Sequence, residues 1–562
     1  MTDDGINALE EILEKIGKWG KFQVFYYLCL GFVVIYSVFT MNYIFVARDI
    51  KYRCYIPECD PESPKDAKYN PEFLKNFVTF KEGFPDRCST YNISQTNLSS
   101  VPEMCTQNNY SFIGNRESHK CSNYVFERPE RTIVHEFEIF CGENLWMLTM
   151  VGSANVAGEL VSLSYTGFLS DKYGRKTIMA LSVLLSSISG ITKSFSVNYY
   201  MFLTFEFMDT ALGGAMYGAA FVLAMELVTA EDRNIGNTAI SCVYALGQVI
   251  LGVIAWMTPD WRTMIRILYF PGLLSILIWI FLPESIRWLL SKNKLQQAGD
   301  ALRNIAKIND KVLSREDLES LKKMFKVNGI SLEETEAQKA ENEGSVASFW
   351  SVLKNPVLLV RTIHCSMTWI CCTFVFYGLT INSVNISENI HLSFIFAAMA
   401  ETPGYVIYYY ANERSGRRKL MFYSLVLGGA FCLAVGFLPD GWLKLITFFC
   451  GKCSLTIAYT VLYVFTTELF PTSSRHAMFS ICSMFGRMGS MVAPQVPLLA
   501  RISKRLPLFL FSCMSFTFGF LALFFPETAH IALPHTIEDA LNISKRKTRN
   551  NKTEETSLEN TF

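Results

Sequence analysis

The sequence predicts an all-α membrane protein of twelve membrane-crossing helices arranged as two six-helix repeats, and three observations carry that reading. Half of the 562 residues are hydrophobic and only 18% are charged, against roughly 25% charged in ordinary soluble chains. Twelve apolar stretches approach the ~20 residues a bilayer core requires. Landmarks of the first half also return in the second at a constant offset. A formal net charge of +1 removes the basic footprint that a nucleic-acid binder needs, so the expected partner is the lipid bilayer and no nucleic acid.

The elements follow in order. Residues 1–21 set Asp3, Asp4, Glu10, Glu11 and Glu14 around Ile6, Leu9, Ile12 and Leu13, the spacing of an amphipathic cytoplasmic helix rather than a cleaved signal. Spans are expected near 22–46, 145–169, 177–197, 199–228, 236–257 and 264–282, then 357–381, 391–411, 418–438, 443–467, 476–499 and 506–525. Residues 22–282 form the first half, 283–356 a charged cytoplasmic linker, 357–525 the second half and 526–562 a cytoplasmic tail. Orientation follows from Lys172, Arg175, Lys176, Arg233, Arg414, Arg417, Arg418 and Lys419, whose loops are cytoplasmic by the positive-inside rule. Arg501, Lys504 and Arg505 fall in a loop that the same scheme puts outside.

The loop 47–144 holds Cys54, Cys59, Cys88, Cys105, Cys121 and Cys141 beside sequons at Asn92, Asn97 and Asn109. An even number of cysteines next to glycosylation acceptors is what an oxidising extracellular segment requires. Three disulfides are expected, their connectivity open. No paired CxxC spacing supports a metal module, and the ten remaining cysteines read as core thiols in the spans.

The repeat is internal and constant. Asp171, Gly174 and Arg175 return as Glu413, Gly416 and Arg417, and Glu226 and Arg233 as Glu468 and Arg475, all 242 residues later; Pro283-Glu284-Ser285 returns as Pro526-Glu527-Thr528 at 243. Parallel repeats of this kind place a binding site at the midplane between halves that rock against each other. The recurring acids and arginines are candidate latches that hold helix ends together in one state and release them in another, with Gly174 and Gly416 allowing the tight turns.

These residues resemble a known family. Gly167-Phe-Leu-Ser-Asp-Lys-Tyr-Gly-Arg-Lys176 is similar to the loop signature of the major facilitator superfamily, and Pro283-Glu-Ser-Ile-Arg-Trp-Leu289 to that of its organic cation, zwitterion and anion transporters (solute carrier family 22). The six-cysteine loop, Glu468-Leu-Phe-Pro-Thr472 and Leu533-Pro-His-Thr-Ile-Glu538 extend the resemblance. It implies the major facilitator fold, a plasma-membrane location, alternating access and no cofactor.

Charge within a span marks a pathway by default. Glu159, Glu206, Asp209, Glu401, Lys452 and Arg487 all lie well inside their spans, giving four acids against two bases. Glu206 and Asp209 share a helix face; Glu401 is open to pairing with Arg487 or Lys452. Within the resemblance, Glu401 matches an acid of cation and zwitterion carriers. Arg487 matches a position shared by anion and zwitterion carriers, and Glu206 stands where the family pattern has Arg. Trp369, Phe376, Tyr377, Tyr459 and Tyr463 are candidates for an ammonium cage, Tyr377 within a Phe-Tyr-Gly motif similar to the family's. No nucleotide loop, metal ligand set or nucleophile supports an enzyme. The expected substrate is a small organic cation or zwitterion, with a coupling ion left open; an organic-anion carrier and a non-transporting receptor are the competing readings.

Overall fold

The computed structural model describes residues 3–543 except 18, 58, 65, 79, 82–83, 92–104, 106–117, 230–231, 314–349, 387–388, 472–473, 504, 530–533 and 535–536. It is a helical bundle. Eight helices are long and apolar enough to cross a membrane: Lys21–Val46, Tyr199–Leu227, Arg233–Met257, Trp261–Phe281, Pro356–Asn382, Ile390–Asn412, Arg417–Phe437 and Trp442–Leu469. Four more, Leu145–Tyr173, Arg175–Lys193, Arg475–Val492 and Leu506–Ala522, pack among them where the remaining spans were expected. The first two carry polar residues that face other helices. Thr149, Ser153 and Asn155 on one, and Ser182, Ser186, Ser187 and Ser189 on the next, are all buried; small and hydroxylated residues let helices approach closely.

Packing repeats as the sequence does. The 21–38 helix lies on 233–257 and the 356–382 helix on 475–492; 145–173 lies on 199–213 and 401–415 on 442–469. The 175–193 helix contacts 199–213 and 275–281, while 417–437 contacts 442–469 and 506–522. The halves meet where 233–257 crosses 390–415 and where 145–173 crosses 475–492.

Several helices break inside the bundle. Pro271 lies in a 3-10 turn, Phe270–Leu274, and Pro494 in another, Ala493–Gln495. Near Pro403, which has no N–H to donate to the carbonyl of residue 399, the chain divides into Ile390–Met399 and Glu401–Ser415. The break leaves Glu401 in the first turn of a helix, where the macrodipole favours a carboxylate.

The cysteine-rich loop is tied by Cys54–Cys121, Cys59–Cys105 and Cys88–Cys141. Its strand Tyr52–Cys54 pairs antiparallel with Tyr124–Phe126, and Ser89–Tyr91 with Ser118–Lys120. The sequons at Asn92, Asn97 and Asn109 lie outside the described residues. Mass mapping of the mature protein is expected to find none of the six loop thiols alkylatable; any free thiol among them would contradict the pairing. The expectation of ten core thiols needs correction. Cys365, Cys371, Cys372, Cys432 and Cys482 are buried, but Cys450 and Cys513 are exposed on the bundle's outer face, where a thiol tolerates lipid as a small hydrophobe.

Candidate functional site

At the end bearing the basic loops, the two halves build the same device. Arg175 lies 3.1 Å from Asp171 and 3.7 Å from Glu226, and Ser285 Oγ donates to Glu226. In the second half Arg417 lies 3.3 Å from Glu468, and Thr528 Oγ donates to Glu468 at 2.6 Å. Behind each pair a further carboxylate caps a helix start. Glu284 accepts the Lys176 N–H at 3.0 Å, and Glu527 accepts those of Arg417 at 2.9 Å and Arg418 at 3.4 Å, satisfying donors that a helix N-terminus leaves free. The glycines are fixed by these caps: Gly174 and Gly416 have φ of +103° and +77°, and a Cβ would stand 2.2 Å from Glu284 and 2.7 Å from Glu527. Each cluster joins helices of one half only.

The repeat fails at one member. Arg233 does not join the Glu226 cluster; it pairs at 3.2 Å with Glu10 of the Asp3–Ile16 helix, which also meets Arg287 at 3.4 Å. Its counterpart Arg475 leaves Nε and Nη2 without a hydrogen-bond partner. The side chain of Glu413 lies outside the described residues.

Within the first half, Glu206 and Asp209 are wholly buried and share a base that the sequence reading passed over. Lys193 Nζ lies 2.7 Å from Glu206 and 3.3 Å from Asp209, with all three side chains at 0% exposure. Asn155 donates to Glu206 at 2.7 Å, Ser186 to Asp209 at 2.5 Å, and the Tyr269 hydroxyl also donates to Asp209. Every carboxylate oxygen here meets a donor of the protein itself, and at 0% exposure neither acid is open to a substrate ammonium in this arrangement. Counting Lys193, four acids face three bases rather than two. Lys193→Met would leave two buried carboxylates without a counter-charge, a cost of at least about 3–5 kcal/mol. Surface biotinylation should accordingly show far less protein than for Lys193→Arg, and equal delivery of both variants would contradict a structural role.

In the second half, Glu401 pairs with Lys452 rather than Arg487: Nζ lies 3.0 Å from Oε1 and both side chains are at 0% exposure. Lys452 also donates to Thr380 Oγ1 at 2.6 Å and the Phe376 carbonyl at 3.1 Å, and sits 3.6 Å from the Phe376 ring centroid. The cation–π seat expected for a substrate ammonium at Phe376 is therefore filled by the chain's own lysine. Glu401 accepts from Gln248 across the halves at 3.0 Å and from Tyr405 at 3.4 Å. Trp369, 1% exposed, donates to Thr466 at 2.8 Å and stands behind Tyr463, ring centroids 4.7 Å apart.

Among the mid-span charges of the described residues, one pair is partly exposed. Arg487 Nη1 lies 2.9 Å from Glu159 Oε1 across the two halves, with side-chain exposures of 18% and 31%. Tyr377 lies close to the Arg487 guanidinium. Tyr459 and Tyr463 lie close to the guanidinium and join hydroxyls at 3.0 Å, while Phe376 stacks on Tyr459 at 4.8 Å. An acid, a base and aromatic walls thus converge at mid-span where the halves meet. A separate cavity of about 1050 Å³ lies under the cysteine-rich loop, lined by residues including Arg48, Arg87, Thr149, Asn382 and Arg501. None of the mid-span charges borders it.

The contacts between halves lie from this level toward the cysteine-rich end. Thr149 donates to Gln495 at 2.8 Å, Gln495 to Ser153 at 2.8 Å, and Ser153 to the Met491 carbonyl at 3.0 Å. A Cβ on Gly152 would stand 2.7 Å from Pro494, and one on Gly252 2.7 Å from Ile395. With those surfaces in contact and the basic-end clusters each confined to one half, the described residues are joined on the cysteine-rich side.

Four residues absent from the candidate set carry this geometry. Lys193 and Gln248 supply donors to buried acids, and Glu284 and Glu527 cap helices; only the last two had a sequence signal, the Pro-Glu-Ser and Pro-Glu-Thr repeat.

Comparison with known proteins agrees with this architecture. The family model described as sugar (and other) transporter matches residues 22–539. Solute carrier family 22 member 3 of Rattus norvegicus is 29% identical over 546 residues, covering 95% of either chain. The organic cation transporter protein of Drosophila melanogaster is 27% identical, covering 96% of this chain and 95% of its own. In fold, the inward-open xylose transporter of E. coli aligns with a TM-score of 0.54 at 17% identity, over 71% of this chain and 89% of that one. The same major facilitator superfamily protein, a proton:xylose symporter, bound to a bromodeoxyglucose gives 0.52 at 14% identity, over 93% and 99%. With two similarly packed halves, matching charged clusters at the basic loops and a family match over nearly the whole length, the chain is a multi-pass membrane transporter rather than an enzyme, and it belongs to the sugar (and other) transporter family.

Proposed function

We propose that this chain carries small organic cations or zwitterions across the plasma membrane by alternating access of twelve spans, with both termini cytoplasmic and the cysteine-rich loop outside. The observation that carries the reading is the Glu159–Arg487 pair, which is the accessible ion pair joining the two halves at mid-span. A zwitterion can insert its ammonium toward Glu159 and its carboxylate toward Arg487, while Tyr377, Tyr459 and Tyr463 offer π faces to the cationic part. A simple cation can displace Arg487 from Glu159. Glu206, Asp209, Glu401 and Lys452 serve the bundle as internal ion clusters in this reading. Relatives named as organic cation transporters support the cationic half of the assignment. An organic-anion carrier is disfavoured because Glu159 stands 2.9 Å from the base an anion would need.

The Arg175–Glu226 and Arg417–Glu468 clusters act in this reading as rigid joints that let each half turn as a body. The test of the function is uptake by expressing cells of amines, betaines, amino-acid derivatives and carboxylates at two membrane potentials. Amine uptake should rise with a more negative interior and zwitterion uptake should respond less. Saturable carboxylate uptake with no amine uptake would overturn the assignment.

A further inference from the structure

The loop between the Lys21–Val46 and Leu145–Tyr173 helices touches both halves. Residues 121–141 form a strap held at each end by a disulfide, Cys54–Cys121 and Cys88–Cys141. Its strand Tyr124–Phe126 pairs with Tyr52–Cys54, just beyond the first helix. Its middle is fastened to the first half again: the Arg131 N–H donates to the Pro259 carbonyl at 2.8 Å, the Trp261 N–H to the Arg131 carbonyl at 3.2 Å, and Arg262 to Glu136 at 2.8 Å.

From that anchored position Glu130 reaches toward the other half, and just past the strap the Gly142 carbonyl accepts from Arg501 at 3.2 Å. Glu130 engages Arg48 at the end of the first helix and faces His391 Nε2 at 3.6 Å. His391 begins the Ile390–Met399 helix of the second half and is buried. Its ring stacks on Phe45 of the first half, centroids 5.3 Å apart and planes 11° apart, and Phe394 meets Phe45 edge-on at 5.0 Å. The strap, first helix and second half therefore converge on one buried contact at the cysteine-rich end, above the Thr149, Ser153 and Gln495 seam.

We propose that the disulfide-bonded loop is a working part of the outer gate: Glu130 clasps His391 while the cysteine-rich side is closed, and the clasp parts when that side opens. The inference rests on the alternating-access reading above. Any opening on this side must draw Phe45 and Glu130 away from His391 and Phe394, since these belong to opposite halves. The strap keeps Glu130 fixed to the first half, so the break falls between Glu130 and His391 and not within the loop. Arg48 holds the carboxylate in place throughout; it is a positioning residue and does not itself cross the seam.

The experiment labels the seam from outside. Ser153→Cys places a thiol at a position closed off by Met491 and Gln495, and its reaction with a membrane-impermeant maleimide on intact cells is compared with the chain lacking that cysteine. Glu130→Gln and His391→Phe are each added; the phenylalanine keeps the stack on Phe45 and removes the partner of Glu130. Glu130 and His391 approach to 3.6 Å without a hydrogen bond, so losing this weak polar contact across the seam should shift the closed-to-open ratio about two- to fivefold, and both variants should speed labelling by that factor. Unchanged labelling in His391→Phe at normal surface delivery would overturn the clasp, whether or not Glu130→Gln folds. Labelling requires no solute, so its failure is distinct from a failure of the uptake screen, which would leave the gate measurement intact and remove the transport reading.

Discussion

Lys452→Met is expected to cut the folded protein reaching the surface by more than about tenfold, and Glu401→Gln added to it is expected to recover most of the loss. Both side chains are at 0% exposure and lie 3.0 Å apart. Removing one member of such a pair strands the other charge in a low-dielectric interior at a cost of about 3–5 kcal/mol, whereas removing both is often close to neutral. Glu401 retains Gln248 and Tyr405, which can serve a neutral amide as well as a carboxylate. Surface biotinylation and thermal unfolding in detergent of the wild type, the two single variants and the double variant complete the cycle. If the double variant is no better than Lys452→Met, the pair does not hold the second half together.

That experiment also separates what the sequence could and could not say about these charges. Acids inside apolar spans are visible from composition alone, and the sequence leaves Glu401 open to meeting a substrate or to pairing with a base. Two bases were on offer, Arg487 and Lys452, and nothing in a one-dimensional spacing ranks them. The choice depends on which faces of the 442–469 and 475–492 helices turn toward 401–415, and the 442–469 helix is the one packed there. Lys193 was missed for a different reason. It falls in the last turn of its helix, where lysines commonly snorkel to the interface. The close neighbours Glu206 and Asp209 call for a counter-charge, but nothing in the spacing points to Lys193 as its source. The basic-loop clusters were legible because a local motif repeats at fixed offset: Arg175 with Glu226 has its image in Arg417 with Glu468. Arg233 broke the pattern because its partner, Glu10, comes from a helix before the repeat begins and has no image in the second half.

The second large effect is on substrate choice at Glu159 and Arg487. Glu159→Gln should lower uptake of simple amines at least about tenfold, since about 1.4 kcal/mol of lost attraction is already a factor of ten and the acid is only partly exposed. Arg487→Ala should act oppositely on two solute classes. A zwitterion loses the partner of its carboxylate and its uptake should fall by about tenfold or more. A monovalent amine gains an acid no longer engaged by the guanidinium, so its uptake should hold or rise. The contrast matters more than either number, because a variant that merely damages the fold depresses both classes together. Equal loss for amines and zwitterions in Arg487→Ala at matched surface level would place the residue in the structure rather than at the substrate. Tyr377, which lies close to the Arg487 guanidinium, should give a weaker version of the same split when changed to Phe.

The most direct measurement uses the unaltered protein, purified into vesicles and given a labelled quaternary amine, a labelled betaine and a labelled dicarboxylate under an inside-negative potential. The amine and the betaine should accumulate above protein-free vesicles and the dicarboxylate should not. Accumulation of the dicarboxylate alone, or binding of the amine without entry, would contradict a carrier built around Glu159 and Arg487.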